Sequence, residues 1–255
     1  MKLRWLLAAL LLAAPSLAQT PSARALYIAG HYDAAIRAGL AQHDGEGLTE
    51  AARSALAKAR LGKSPCLSCL KLAESYARAA VAADPKSALA HVYLAAALGY
   101  EARIIGIMEA EAKGFAGEAK DNLKIALRYH PHNGFALAAM GGWNIGVVAG
   151  GGAFLADLMY GASTDDGIAY YHKAFAADPT SIVPRFEYVL SLSSLDRESY
   201  APQIEKALEF VVNGTAHTAY EKIMQEQGRQ LLTLWKAAQW SAYQQLVHHI
   251  QGYPD

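Results

Sequence analysis

The most constraining feature of this sequence is a pattern of small residues, closed by a proline, that occurs three times. The stretches are RAAVAADPKSALAHVYLAAA, KIALRYHPHNGFALAAMGGW and KAFAADPTSIVPRFEYVLS, in which Pro85, Pro131 and Pro179 lie 46 and 48 residues apart. A nearly fixed period of this length indicates an internal repeat. Small residues lie five and twelve positions before each proline: Ala80, Ala126 and Ala174, preceded by Ala73, Ala119 and Gly167.

These spacings predict pairs of helices joined by proline turns. Seven residues make about two helical turns, so the two small residues of each unit share one stripe, where a neighbouring helix can come close. Proline disfavours helical geometry in the preceding residue and is tolerated in the first turn of the next helix. After the first proline, apolar residues recur at the spacing of one helical face: Leu89, Val92, Tyr93 and Ala96. We therefore expect an all-α fold.

The same spacings resemble the tetratricopeptide repeat family, in which small residues at these offsets and a terminal proline recur. The segment GHYDAAIRAG fits too, with Gly30, Tyr32 and Ala35 where the second helix of a repeat would begin. The resemblance covers roughly residues 22–195 in about four units. It implies an α-α superhelix, or solenoid, over residues 19–255, capped by C-terminal helices. The chain is also similar to the tetratricopeptide repeat subunit associated with TRAP solute transporters.

Two insertions make the period longer than the 34 residues of a standard repeat. They are IIGIMEAEAKGF and VVAGGGAFLADLMYG. The first insertion would lengthen a helix by about 18 Å if it were helical throughout, whereas the run Gly150-Gly151-Gly152 disfavours this in the second. The apolar residues of the second insertion either pack beneath the adjacent repeat or form an exposed binding surface: Phe154, Leu155, Leu158, Met159 and Tyr160.

The N-terminus predicts a signal peptide over residues 1–18. The basic start MKLR precedes the apolar run WLLAALLLAA and the small residues of SLA, which suit a signal peptidase. A run of about ten residues is too short to span a bilayer comfortably, although a retained anchor is the alternative. We therefore expect a periplasmic or secreted bacterial protein without a stable membrane span once the signal is cleaved.

Composition and motifs exclude several classes of function. The 23 Lys and Arg residues balance 23 Asp and Glu residues, so no basic excess indicates nucleic-acid binding. No nucleophile elbow, Walker loop or dinucleotide fingerprint occurs in the sequence. The nine histidines lack metal-motif spacing, and we expect His91 to pack at the edge of the core. We expect no catalytic residues, no cofactor and no metal site.

Cys66 and Cys69 are the only cysteines, in the segment SPCLSCLK. Ser64 is the expected cap and Pro65 the expected first residue of a helix, which places both thiols near its N-terminus and lowers their pKa. In an oxidising compartment these cysteines are candidates for a local disulfide. A redox-active pair is the alternative, although no strand precedes the motif as a thioredoxin-like unit requires.

The inner helix of each pair usually lines the concave binding face of a repeat protein. In this register the candidates are Val92, Ala96, Tyr100, Arg103, Phe135, Gly142, Ile145, Phe186 and Leu190, and the second insertion adds Phe154 and Tyr160. This groove is mostly apolar, so it either binds apolar side chains or is filled by the C-terminal helices within residues 199–251.

The sequence as a whole favours a non-catalytic scaffold that binds a protein or peptide partner in the bacterial cell envelope. One alternative is a periplasmic small-molecule binder associated with solute transport. The other is a thiol–disulfide oxidoreductase that uses Cys66 and Cys69.

Overall fold

The computed structural model describes residues 21–254, and this part of the chain has 14 helices and no strand. With 79% of its residues in helices, it confirms the predicted all-α fold class. The predicted signal peptide, residues 1–18, lies outside the described residues. The helices are α1 (Ala23–Ile28), α2 (Tyr32–Gln42), α3 (Gly45–Arg60), α4 (Leu67–Ala83), α5 (Ala88–Ile105), α6 (Ile107–Ala112), α7 (Phe115–Tyr129), α8 (Gly134–Gly151), α9 (Ala153–Tyr160), α10 (Thr164–Ala177), α11 (Val183–Asp196), α12 (Ala201–Asn213), α13 (Ala219–Lys236) and α14 (Trp240–Ile250).

Each of the three proline turns separates two helices, as the sequence predicts. Helices α4, α7 and α10 each end two residues before their proline. After the first and second prolines, the next helix has an N-cap residue: Ser87 for α5 and Asn133 for α8. Each N-cap side chain accepts a hydrogen bond from a backbone N–H group of its helix. His91 is only 2% exposed, and its ring nitrogens lie 3.0 Å from the Pro85 carbonyl oxygen and 2.6 Å from Asn122 Oδ1. The first turn is therefore fixed to α7.

The small residues before the prolines are buried between helices. The three alanines five positions before the prolines have no exposed surface, and the three residues twelve positions before them are buried as well. Helices α8 and α10 come very close to each other at two glycines. A Cβ atom at Gly167 would lie 2.6 Å from Ile145 Cγ1, and one at Gly141 would lie 2.7 Å from Tyr171 Cδ2. Only glycine allows these two helices to pack at this distance.

The helices form two layers that follow the order of the chain. Helices α3, α5, α8 and α11 contact one another in succession, and α4, α7 and α10 each pack against two consecutive members of that row. The row is curved, since its first and last helices meet: Arg60 Nη1 of α3 lies 3.0 Å from Glu187 Oε1 of α11. Helices α13 and α14 both contact α11, and α13 also contacts α1. The C-terminal helices therefore connect the two ends of the stack.

Both insertions adopt the same local structure, and neither extends one continuous helix. Gly106 (φ 85°, ψ 159°) ends α5 and starts α6, and Gly152 (φ 78°, ψ 155°) does the same between α8 and α9. The two short helices are followed by Gly114 and Gly161, both left-handed. Glycine enters these positive-φ regions without a Cβ clash, so each insertion turns sharply at a glycine and returns at another.

Among the described helices, α8 alone is long and apolar enough to cross a membrane by length and composition. In the structure this helix contacts α5, α7, α10 and α11. It buries Leu137, Met140 and Ile145 among them. Its apolar composition is therefore explained by its place at the centre of the helical stack, since a buried core helix passes the same test.

We predict that Gly167→Ala lowers the free energy of unfolding by about 1–3 kcal/mol, because the new methyl group must displace Ile145 or separate α8 from α10. Gly146→Ala is the matched control, since a Cβ at this position of α8 meets nothing within 4 Å. This control should gain about 0.5–1 kcal/mol from helix propensity. Urea unfolding measures both values. Equal effects of the two substitutions would contradict the close approach.

Candidate functional site

The chain's own C-terminal segment occupies the face on which the sequence predicts a groove. The Gln251 side chain donates to the Leu190 carbonyl oxygen of α11 at 3.3 Å and accepts from Ser194 Oγ at 2.6 Å. Arg103 of α5 donates to the Gln251 carbonyl oxygen at 2.8 Å. The C-terminal segment therefore covers the part of this face that α5 and α11 form.

One guanidinium, that of Arg60 at the end of α3, connects five helices at this face. Its Nη1 donates to Glu187 Oε1 at 3.0 Å and to the Tyr220 hydroxyl at 2.8 Å, and its Nη2 donates to the Ile250 carbonyl oxygen at 3.1 Å. The same group lies 4.5 Å from the centre of the Tyr100 ring. We call these residues the Arg60 clamp: Arg60, Tyr100, Glu187, Tyr220 and Ile250.

Arg60, Tyr100 and Tyr220 of the clamp each hold one ionisation state across the neutral pH range. Burial lowers the pKa of Arg60, but the neighbouring Tyr100, Tyr220 and Glu187 raise it by more. Burial raises the pKa of the Tyr100 and Tyr220 hydroxyls, so both stay protonated. These three groups therefore suit a fixed structural contact rather than proton transfer, which needs a pKa near the working pH.

The residues predicted to line the groove separate into three groups. Val92, Ile145, Phe186 and Leu190 are buried in the packed core and do not reach a partner in this fold. Tyr100 and Arg103 contact the C-terminal segment. Ala96 and Gly142 are half-buried, and Phe135 is exposed at the start of α8.

The second insertion lies against the first and forms an exposed apolar surface. A Cβ at Gly150 would lie 3.2 Å from Ile107 Cδ1, and the Tyr160 hydroxyl donates to the Glu111 carboxylate. The sequence left open whether the large apolar residues of α9, in the second insertion, pack beneath the next repeat, and the structure exposes all but Tyr160, up to 78% for Phe154. Met108 of the first insertion is 85% exposed. We call this surface the insertion patch: Ile107, Met108, Phe154, Leu155, Leu158 and Met159.

Helix α9 is held at its end by Tyr160 rather than by its large apolar residues. The Tyr160 carbonyl oxygen accepts from Lys120 Nζ, and its ring lies edge-on to Trp143 with centres 6.1 Å apart. Burial and the neighbouring Glu111 raise the pKa of Tyr160 to about 12. Ala156 is the only residue of α9 that is fully buried. The fold therefore does not need the exposed Phe, Leu and Met side chains for its own packing.

A polar cleft of about 430 Å³ lies between α4, α5, α6 and α7. At its floor is Glu101, whose side chain is 1% exposed and whose Oε1 has no hydrogen-bond partner. We did not predict this site from the sequence. The available signal was the position of Glu101 on α5, since it follows the buried Leu94, Ala97 and Leu98 at helical spacing.

The two cysteines form a disulfide bond at the start of α4. Cys66 is the N-cap residue, and its sulfur accepts a hydrogen bond from the Cys69 N–H at 3.2 Å. This corrects the expectation that Ser64 is the cap and Pro65 the first helical residue, because α4 begins only at Leu67. Pro65 and Cys66 border the same small cavity as Tyr100 and Gly252. The disulfide therefore lies beside the C-terminal segment.

No protein-family model matches this sequence, and no curated protein matches it. Within residues 21–254, no group of three or more His, Cys, Asp or Glu side chains is arranged to hold a metal ion. The features of the described residues that bear on function are the Arg60 clamp, the insertion patch and the polar cleft.

We predict that Arg60→Ala lowers the free energy of unfolding by about 3–5 kcal/mol, because it leaves Glu187 and the Ile250 carbonyl oxygen without their partner. Lys58→Ala is the control. Lys58 is on the same helix as Arg60 and forms an exposed ion pair with Asp33 of α2, so its loss should change stability by less than about 1 kcal/mol. Guanidinium unfolding of both variants provides the comparison. A loss below 1 kcal/mol for Arg60→Ala would show that the clamp does not hold the C-terminus in place.

Proposed function

We propose that this chain is an exported, non-catalytic scaffold of tetratricopeptide-like repeats that binds a protein partner through the insertion patch. The observation that carries this proposal is the exposure of six large apolar side chains on α6 and α9. Contiguous exposed apolar surface is uncommon on proteins that act alone and marks interaction sites.

The concave face is the weaker candidate for the partner site. Binding there requires the partner to displace α14 and to break the hydrogen bonds of Arg60, Arg103 and Gln251. Binding at the insertion patch displaces only water from residues that are already exposed. We therefore place the partner on the outside of the stack.

The chemistry of the insertion patch favours an amphipathic helix with basic flanks as its partner. Met108 and Met159 are flexible and polarizable, which suits a surface that adapts to an apolar helical face. Exposed carboxylates at Glu109, Glu111 and Asp157 lie on the same two helices. Lys or Arg residues on the partner would complement these carboxylates and fix its orientation.

Two observations support a location in the cell envelope. The sequence begins with the basic, apolar and small-residue order of a signal peptide. The Cys66–Cys69 disulfide fits an oxidising compartment, since such bonds are uncommon in reducing cytoplasm.

The test is site-specific photo-crosslinking in cells that produce the full-length chain. A photoreactive residue at Phe154 or Met108 should give one discrete adduct with a second protein. A photoreactive residue at Ile223 is the control, because this side chain is apolar and exposed on α13, far along the chain from the insertions. The same adduct from Ile223, or no adduct from either patch position, would refute the proposal. An adduct that contains two copies of this chain would show self-association instead.

The double substitution Phe154→Ser and Leu158→Ser should abolish this adduct when the photoreactive residue is at Met108. The free energy of unfolding should stay within about 0.5 kcal/mol of the parent value, since both side chains are exposed. Retention of the adduct, or a loss of stability of several kcal/mol, would indicate that these residues serve the fold rather than a partner.

A further inference from the structure

The polar cleft contains one carboxylate without an ionic partner. Arg78 pairs with Glu74, with Nε and Oε1 2.7 Å apart, and with Glu118, with Nη2 and Oε2 3.0 Å apart. Lys113 pairs with Glu109 at 3.6 Å. Glu101 forms no ion pair with any described residue, and its Oε1 is buried without a hydrogen-bond donor. Four carboxylates thus face three cations in the cleft, Lys71, Arg78 and Lys113, and none of the three pairs with Glu101.

The charged groups that surround Glu101 come from three elements. Helix α4 contributes Lys71, Glu74 and Arg78, α6 and the residue that follows it contribute Glu109 and Lys113, and α7 contributes Glu118. Burial, followed by the neighbouring Glu74, raises the pKa of Glu101 to about 7. The carboxyl group is therefore partly protonated at neutral pH. A bound cation would favour the ionised form, since an opposite charge nearby lowers a carboxyl pKa.

The cleft also has apolar walls and the size of a ligand site. Ile105 and Phe115 line it beside the charged residues, and its volume of about 430 Å³ lies within the range of small-molecule pockets. An aromatic ring and an aliphatic side chain suit the apolar part of a ligand, and the Phe115 ring also attracts a cation. Burying an unpaired carboxylate is unfavourable unless something supplies the missing hydrogen-bond donor.

We propose that the polar cleft binds a small organic cation, a primary amine or a guanidinium on an apolar chain, with its charged group on Glu101 and its chain against Ile105 and Phe115. A metal ion fits less well, because the described residues contain no group of three or more His, Cys, Asp or Glu side chains arranged to hold one. This site is separate from the insertion patch and does not depend on the proposed protein partner.

Binding of the cation is coupled to loss of a proton from Glu101. The ligand stays protonated below pH 8, so the ionised carboxylate is the binding-competent form, and its fraction falls as pH falls through about 7. Apparent affinity scales with that fraction, which predicts binding roughly tenfold weaker at pH 6 than at pH 8.

The raised pKa of Glu101 also makes the stability of the ligand-free protein depend on pH. Because the folded pKa of Glu101 is raised, its contribution to the stability of the ligand-free fold decreases as pH rises from about 4.5 to about 7.

The test is calorimetric titration of the full chain with agmatine, which carries an amine and a guanidinium on a butyl chain, at pH 8 and pH 6 and at constant ionic strength. Butan-1-ol is the neutral control with the same chain. We expect agmatine to bind at pH 8, to bind roughly tenfold more weakly at pH 6, and to release protons on binding at pH 7. Butan-1-ol should not bind.

Glu101→Gln keeps the shape of the side chain but removes its charge. It should weaken agmatine binding at pH 8 by roughly tenfold or more and should remove the pH dependence. Glu226→Gln is the matched control, because this carboxylate is exposed on α13, outside the cleft, and pairs with Arg229, and it should change binding by less than about threefold. Thermal unfolding of both variants checks that each is folded. An absence of agmatine binding at millimolar concentration, equal binding by Glu101→Gln, or equal binding of calcium ions would overturn the proposal.

Discussion

The architecture depends on the burial of one guanidinium where the two ends of the helical stack meet. Arg60 is charged at any pH at which the protein folds, so its removal from water is unfavourable unless every available donor is used. Glu187, Tyr220 and the Ile250 carbonyl oxygen accept its hydrogen bonds, and Tyr100 covers one face of the group. These acceptors belong to α11, α13 and α14, so the charge is satisfied only when the C-terminal helices are in place.

This constraint decides where the chain is able to meet other molecules. A curved row of helices offers a concave face, but here α14 and the residues after it cover the part of that face that α5 and α11 form, through Arg103 and Gln251. The exposed apolar surface lies instead on α6 and α9, which leave the stack at Gly106 and Gly152. Gly106 and Gly152 have nearly the same backbone angles, so the two helices leave the stack through the same kind of turn. The two insertions thus use one structural solution twice, and they touch each other where Gly150 meets Ile107 and where Tyr160 meets Glu111.

The sequence predicted the parts of this fold that local sterics determine. A proline restricts its neighbours wherever it occurs, and an alanine or glycine at Ala80 or Gly167 is required by the close approach of the next helix. The Arg60 clamp was not predictable in this way, because Arg60 lies 127, 160 and 190 positions before Glu187, Tyr220 and Ile250 and no spacing relates them. The floor of the polar cleft is an intermediate case. Glu101 interrupts an apolar face of α5, which indicates burial, but its lack of a partner is visible only in three dimensions.

Hydrogen–deuterium exchange of the backbone amides tests most directly whether the C-terminal segment is an integral part of the fold. The account predicts that the central amides of α14 exchange as slowly as those of α11, by global unfolding, while the amides of α6 and α9 exchange much faster by local opening. Exchange of α14 that is orders of magnitude faster than that of α11 would contradict it, since the concave face would then be open for part of the time and the Arg60 guanidinium would lose the partners that its burial requires.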